Sequence, residues 1–123
     1  ALTRTHTDPN DPERLLAALG GPEFAVLAGV CLGAAEAGSP VVLDGLATSV
    51  AALIATKFSP GLHGWLVASQ ASREQVHHIV LAELGLEALM ELRMRAGEGV
   101  GACFGAQMIL TGLQVRRTAA RTC

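Results

Sequence analysis

Glu98 is the residue in this sequence best placed to move a proton. It lies in Arg95-Ala96-Gly97-Glu98-Gly99-Val100-Gly101-Ala102, one carboxylate among three glycines, just ahead of an apolar run from Cys103 to Leu113 that reads as a helix. Glycine on both sides lets the backbone bend and lets a ligand approach closely, because no Cβ stands in the way. A helix starting near Val100 would aim its free N–H groups and the positive end of its dipole at whatever sits beside Glu98. That setting suits a carboxylate that accepts a proton. The same octapeptide also fits an ordinary helix entry with an acidic first-turn residue.

Further candidates follow two short apolar runs. Val41-Val42-Leu43, after the turn Gly38-Ser39-Pro40, is β-branched and non-alternating. Such a run predicts a strand buried on both faces, typical of a parallel sheet. Asp44-Gly45 comes next, then a helical run from about Ala47 to Lys57. Trp65 to Ala68 reads as a second buried strand, with Ser69 in the same post-strand place. Open α/β sheets bind ligands outside the carboxyl ends of their strands. Asp44, Gly45, Thr48, Ser49 and Ser69 are therefore site candidates by position. Each also has a plain structural role: Asp44 as a helix N-cap, Gly45 in a turn, the hydroxyls bonded to nearby backbone.

The other elements must hold these residues in place. Asp11-Pro12 is a helix-start pair, opening a short helix from Glu13 to Leu19 that should end at Gly20-Gly21. Pro22 opens a second helix in which Phe24, Leu27, Ala28, Cys31, Leu32 and Ala35 keep the rhythm of a buried face. Ala25, Gly29, Gly33 and Ala37 make a stripe of small residues on another face. This helix is apolar nearly all round, so it should be covered on more than one side, inside the fold or against another subunit. Ser72-Arg73-Glu74-Gln75 matches a capping box for a helix ending at Gly85. On that helix His77 and His78 point about 100° apart and do not form a metal pair. Leu86 to Met94 fits either a helix or an extended segment.

Composition narrows the class. The chain has 123 residues, half of them apolar, 16% charged and 3% aromatic. That is one domain at most, with a core of Ala, Leu, Val and Gly. A net charge of -2 gives no reason to expect nucleic acid or an anionic membrane as partner. Glu36 and Asp44 interrupt the apolar runs well short of the roughly 20 residues a membrane span needs. Cys31, Cys103 and Cys123 are odd in number and far apart, so a disulfide scaffold and a structural zinc are both unexpected and a reducing cytoplasm fits best. The first residue is Ala, compatible with a processed protein and with a piece of a longer one. The expected division is a linker over 1–12, an α/β body over 13–115 and a basic tail over 116–123. The alternation of elements predicts a three-layer, Rossmann-like α/β fold, a parallel sheet flanked by helices. With two evident strands it is an incomplete part of that fold.

Three blocks, in unbroken order, resemble the nicotinate-nucleotide:dimethylbenzimidazole phosphoribosyltransferase family. They are Gly20-Gly21-Pro22-Glu23 running into Ala28-Gly29-Val30, then Pro40-Val41-Val42-Leu43-Asp44-Gly45, then Leu84-Gly85-Leu86 leading to Arg95 through Ala102. Between them, Ala68-Ser69 with Ser72, Glu74 and His77 match part of a further family segment. Departures are Gln70 for a usual His, Gln75-Val76 for Pro-Gly, Arg93 for a small residue, Ala96 for Leu and Val100 for Thr. The resemblance implies transfer of phosphoribose from nicotinate mononucleotide to a benzimidazole base, with Glu98 as general base and no metal or other cofactor. It places Asp44, Gly45 and Ser69 on the nucleotide side, with Ala96 and Gly97 in the wall beside the base. It also implies a homodimer. The family's long N-terminal portion, with most of the benzimidazole pocket and a phosphate-holding loop, has no counterpart in these residues. The chain by itself is therefore expected to be inactive. A non-catalytic dimerising or regulatory module that kept the fold is the alternative.

Overall fold

The computed structural model describes residues 8, 10–94 and 97–119. The linker expected over 1–12 lies mostly outside them. Asp11 accepts the Arg14 N–H at 3.0 Å and Pro12 takes the first helical position, so helix α1 (Pro12–Leu15) starts as the Asp-Pro pair dictates. It does not stop cleanly at Gly20-Gly21. Leu16–Gly20 widens into π-helical turns, and Gly21, at φ 69°, redirects the chain into α2 (Gly21–Glu36). One left-handed glycine is enough to turn the axis, so Gly20 stays helical.

Strand β1 (Val41–Leu43) leads to α3 (Leu46–Phe58), a 3₁₀ segment (Pro60–Trp65) and β2 (Leu66–Ala68). The strands pair in parallel, Val41 with Leu66 and Leu43 with Ala68. Trp65, expected in the strand, ends the 3₁₀ segment instead. Helix α4 (Gln75–Glu83) follows. The capping box expected at Ser72 does not form: the N-cap is Glu74, without a side-chain bond, and the Ser72 hydroxyl has no partner. Residues 86–94 are irregular rather than helical, with a single parallel bridge between Met90 and Gln70. Leu89 N–H donates to Ala68 O and Met90 N–H to Ser69 O, both at 3.0 Å, so this segment runs beside the exit of β2. Helix α5 (Val100–Ala119) completes the chain and carries Arg116 and Arg117 on its last turn. Residues 120–123 of the expected tail lie outside the described residues.

The strand alternation sorts the layers. Leu43 and Leu66 join Ala28, Cys31, Ala52, Ala55, Leu62, Val80 and Leu84 in one core formed with α2, α3 and α4. Val42 points the other way, toward α5. The result is a three-layer α/β arrangement with a two-stranded parallel sheet, an incomplete version of the fold the sequence predicts. Burying Leu43, Leu62 or Leu84 contributes about 1.5–3 kcal/mol each. The expected inward face of α2 is the one that packs. Its small-residue stripe and Val26 and Val30, 65% and 58% exposed, are covered by none of the described residues. No described helix is long and apolar enough to cross a membrane.

Gly105 lets α5 come down onto the sheet. A Cβ at Gly105 would stand 2.6 Å from Ser69 Cβ and 3.3 Å from Val42 Cγ1. Backbone and packed atoms cannot yield there, whereas Gly112 faces open space. Gly105→Ala should therefore destabilise the chain by about 1–3 kcal/mol through overpacking. Gly112→Ala should stabilise it by about 0.4–1 kcal/mol through helix propensity. Urea midpoints of the two variants, moving in opposite directions, check this.

Candidate functional site

The Glu98 turn is tied to the tip of β1. Asp44, the residue after the strand, accepts the Ala102 N–H at 3.0 Å on one carboxylate oxygen and the Gly99 N–H at 3.3 Å on the other. It therefore caps α5, 55 residues away in the chain, and not its own following helix. At the start of α3 the work falls to Thr48, whose hydroxyl accepts the Asp44 and Gly45 N–H groups and donates to Gly45 O. The N–H groups expected to face a ligand beside Glu98 are thus partly taken by Asp44. A negative charge at that helix end is favourable for the same dipolar reason.

Between Gly97 and Val100 the backbone makes a tight turn. Val100 N–H donates to Gly97 O, and Glu98 and Gly99 both sit in the left-handed region, at φ 61° and 83°. A non-glycine residue held there costs about 1–3 kcal/mol and persists because its surroundings hold it. The Glu98 side chain is exposed, and none of the described residues bonds to its carboxylate. Gly97 and Gly45 both border open space, since a Cβ at either would meet nothing within 4 Å. Ala96 lies outside the described residues.

Ser69 is fully buried. Its hydroxyl donates to Leu43 O at 2.5 Å, cross-linking the ends of the two strands. At 0% exposure the hydroxyl is closed off from any ligand in this conformation. Gln70, read from the sequence only as a departure from the family pattern, proves central to the packing. It is 5% exposed, and its amide lies against Gly101, where a Cβ would meet Gln70 Cγ and Nε2 at 2.8 Å and Asp44 Oδ1 at 2.9 Å. Its Oε1 has no hydrogen-bond partner. The signal that could have found it was its place one residue beyond Ser69, at the end of a strand.

Ser49 is buried against His77. The imidazole is 1% exposed; Nδ1 accepts the Ser72 N–H at 3.0 Å, which leaves the proton on Nε2 to donate to Ser49 Oγ, also at 3.0 Å. This pair ties α3, α4 and the loop after β2 together. Burial lowers the His77 pKa, the His78 charge adds to that, and Glu74 opposes it. Among the described residues no three His, Cys, Asp or Glu side chains gather as metal ligands. A cavity of about 660 Å³ between Leu81, Leu86 and Met90 touches none of Asp44, Gly45, Ser69 or Glu98.

A family model described as Phosphoribosyltransferase matches residues 1–122. The chain belongs to this phosphoribosyltransferase family. Its relatives include the nicotinate-nucleotide–dimethylbenzimidazole phosphoribosyltransferases of Desulforudis audaxviator, 41% identical over 94% of this chain and 33% of the relative, and of Salinispora tropica, 44% identical over 94% and 32%. Among solved structures, CobT from Thermus thermophilus superposes with a TM-score of 0.80 at 38% identity, covering 87% of this chain and 33% of that one. The chain therefore spans about a third of the length of these phosphoribosyltransferases.

Two outcomes check the site's framework. Asp44→Ala should lower stability by about 0.5–2 kcal/mol, the usual loss on removing a helix cap, and hydrogen exchange at Gly99 and Ala102 should quicken. The pH dependence follows from His77. Its folded pKa lies below the unfolded value of about 6.5, so the unfolded chain takes up the proton first. Stability is complete above about pH 6.5 and falls as the pH drops from there toward the lowered folded value. The urea midpoint should follow that course, and His77→Gln should flatten it in this window.

Proposed function

We propose that these 123 residues form the base-bearing part of an enzyme transferring phosphoribose from nicotinate mononucleotide to 5,6-dimethylbenzimidazole. The products would be α-ribazole 5′-phosphate and nicotinate, in assembly of the cobalamin nucleotide loop. One benzimidazole nitrogen attacks the anomeric carbon of the ribose as the bond to the nicotinate nitrogen breaks. The departing nicotinate keeps that electron pair. The other benzimidazole nitrogen sheds its proton to the Glu98 carboxylate. A positioned base of this kind contributes about 10²–10⁴-fold, and holding both substrates in line supplies much of the rest.

The observation that carries this reading is the Glu98 turn, fastened by Asp44 to the end of β1 with its carboxylate unengaged by the described residues. Asp44 and Ser69 then shape the nucleotide side from behind, while Gly45 and Gly97 leave room for the substrates; for Ala96 the family resemblance alone supports a place on the side of the base. The body over 13–115 is the working unit, and the remaining binding surface belongs to the other two thirds of a family enzyme. Alone, the chain would be inactive. A homodimer in the cytoplasm is part of the same proposal. The bare apolar face of α2 favours a second reading, a non-catalytic assembly module that kept the fold.

Replacing the matching third of the Desulforudis relative with these residues separates the two. An active chimera that loses about 10²-fold or more in kcat on Glu98→Gln, with little change in KM for nicotinate mononucleotide, supports the base. Unchanged turnover by Glu98→Gln removes Glu98 from the mechanism.

A further inference from the structure

Gln70 is a polar side chain buried where an apolar one of the same length would fit. It is 5% exposed and follows the buried Ser69 at the exit of β2. Met90 holds the backbone on either side of it, donating to Ser69 O at 3.0 Å and accepting the Ala71 N–H at 2.9 Å. From this anchored position the side chain reaches the start of α5. There its amide and the Asp44 carboxylate close on Gly101 together. A Cβ on that glycine would stand 2.8 Å from Gln70 Nε2 and 2.9 Å from Asp44 Oδ1.

The amide atom at this meeting point is the nitrogen. An ionised carboxylate accepts hydrogen bonds and donates none, so the N–H end of the amide is the one that suits it. The oxygen is left behind: Oε1 is buried and has no hydrogen-bond partner among the described residues. A buried acceptor without a donor is unfavourable, and methionine or leucine would avoid it.

What Asp44 holds gives this contact its reach. Asp44 Oδ2 accepts the Gly99 N–H, which belongs to the same peptide unit as the Glu98 carbonyl. A shift of the carboxylate therefore turns the peptide beside Glu98 Cα, in a turn where Glu98 is held at φ 61°. The route from Gln70 to Glu98 runs through Asp44 and the first turn of α5.

We propose that Gln70 is a positioning residue for Glu98: its amide N–H group braces the Asp44 carboxylate over Gly101 and so fixes the direction of the Glu98 turn. This role rests on Glu98 acting as the base. It accounts for an amide kept in the interior although its oxygen is unpaired.

The test compares Gln70→Met, which fills nearly the same space without a donor, with Gln70→His, which restores a ring N–H. In the chain itself, Gln70→Met should leave the urea midpoint unchanged or raise it, because the unpaired oxygen is gone. Hydrogen exchange at Gly99 and Ala102 should nevertheless quicken about tenfold or more, while the amides of α4 keep their rates. In the Desulforudis chimera, Gln70→Met should lower kcat about tenfold with KM for nicotinate mononucleotide within about twofold. Gln70→His should recover most of that rate. With Glu98→Gln already in place, Gln70→Met should lower kcat no further, since both act at one point. Four results each overturn the proposal: a lowered urea midpoint in Gln70→Met, unchanged exchange at Gly99 and Ala102, Gln70→His as slow as Gln70→Met, or a full additional loss on top of Glu98→Gln. Full activity of Gln70→Met beside a slow Glu98→Gln removes the positioning role alone. Full activity of Glu98→Gln removes the base, and the positioning role with it.

Discussion

The Asp44 carboxylate holds this structure's two halves in register. It stands at the tip of β1 and accepts two N–H groups from the beginning of α5. Those donors are orphans of the helix start, and a carboxylate satisfies them better than water does because charge-assisted hydrogen bonds are stronger than neutral ones. The bond pair is possible only because Gly101 carries no side chain. A methyl group there would collide with Asp44 and Gln70 together. That meeting point fastens the Glu98 turn to the sheet through Gly99 and Ala102.

Behind this contact lies a second, buried layer of fixation. Ser69 bonds to the backbone at the end of β1, and His77 bridges the Ser72 backbone and Ser49. The strand ends and the loops that leave them are thus locked by side chains of modest size. With so few aromatic residues, the packing relies on close approach and on short hydrogen bonds inside a low-dielectric interior.

What the chain leaves bare is as informative as what it buries. The small-residue stripe and valines of α2, and Phe104, Met108 and Leu113 on α5, are exposed in a chain a third as long as its relatives. Exposed apolar side chains lying together in this way are open to burial against another surface. The sheet also ends at two strands, with the 86–94 segment adding one short stretch of pairing.

Much of the frame was legible in residue order: the Asp-Pro start of α1, the buried face of α2, both strands, their parallel pairing and the glycine turn before α5. Local chemistry fixes such features, through fixed proline φ, side-chain periodicity and glycine's freedom. The capping box at Ser72 does not form: the Ser72 N–H bonds to His77, five residues on, and the helix starts only after Glu74. The 86–94 segment resisted assignment because its conformation is set by pairing with β2, not by its own propensity. Likewise, the sequence could offer Asp44 as a cap but not say for which helix. Folding chose one 55 residues away, because unsatisfied N–H groups are claimed by whichever acceptor packing brings within reach.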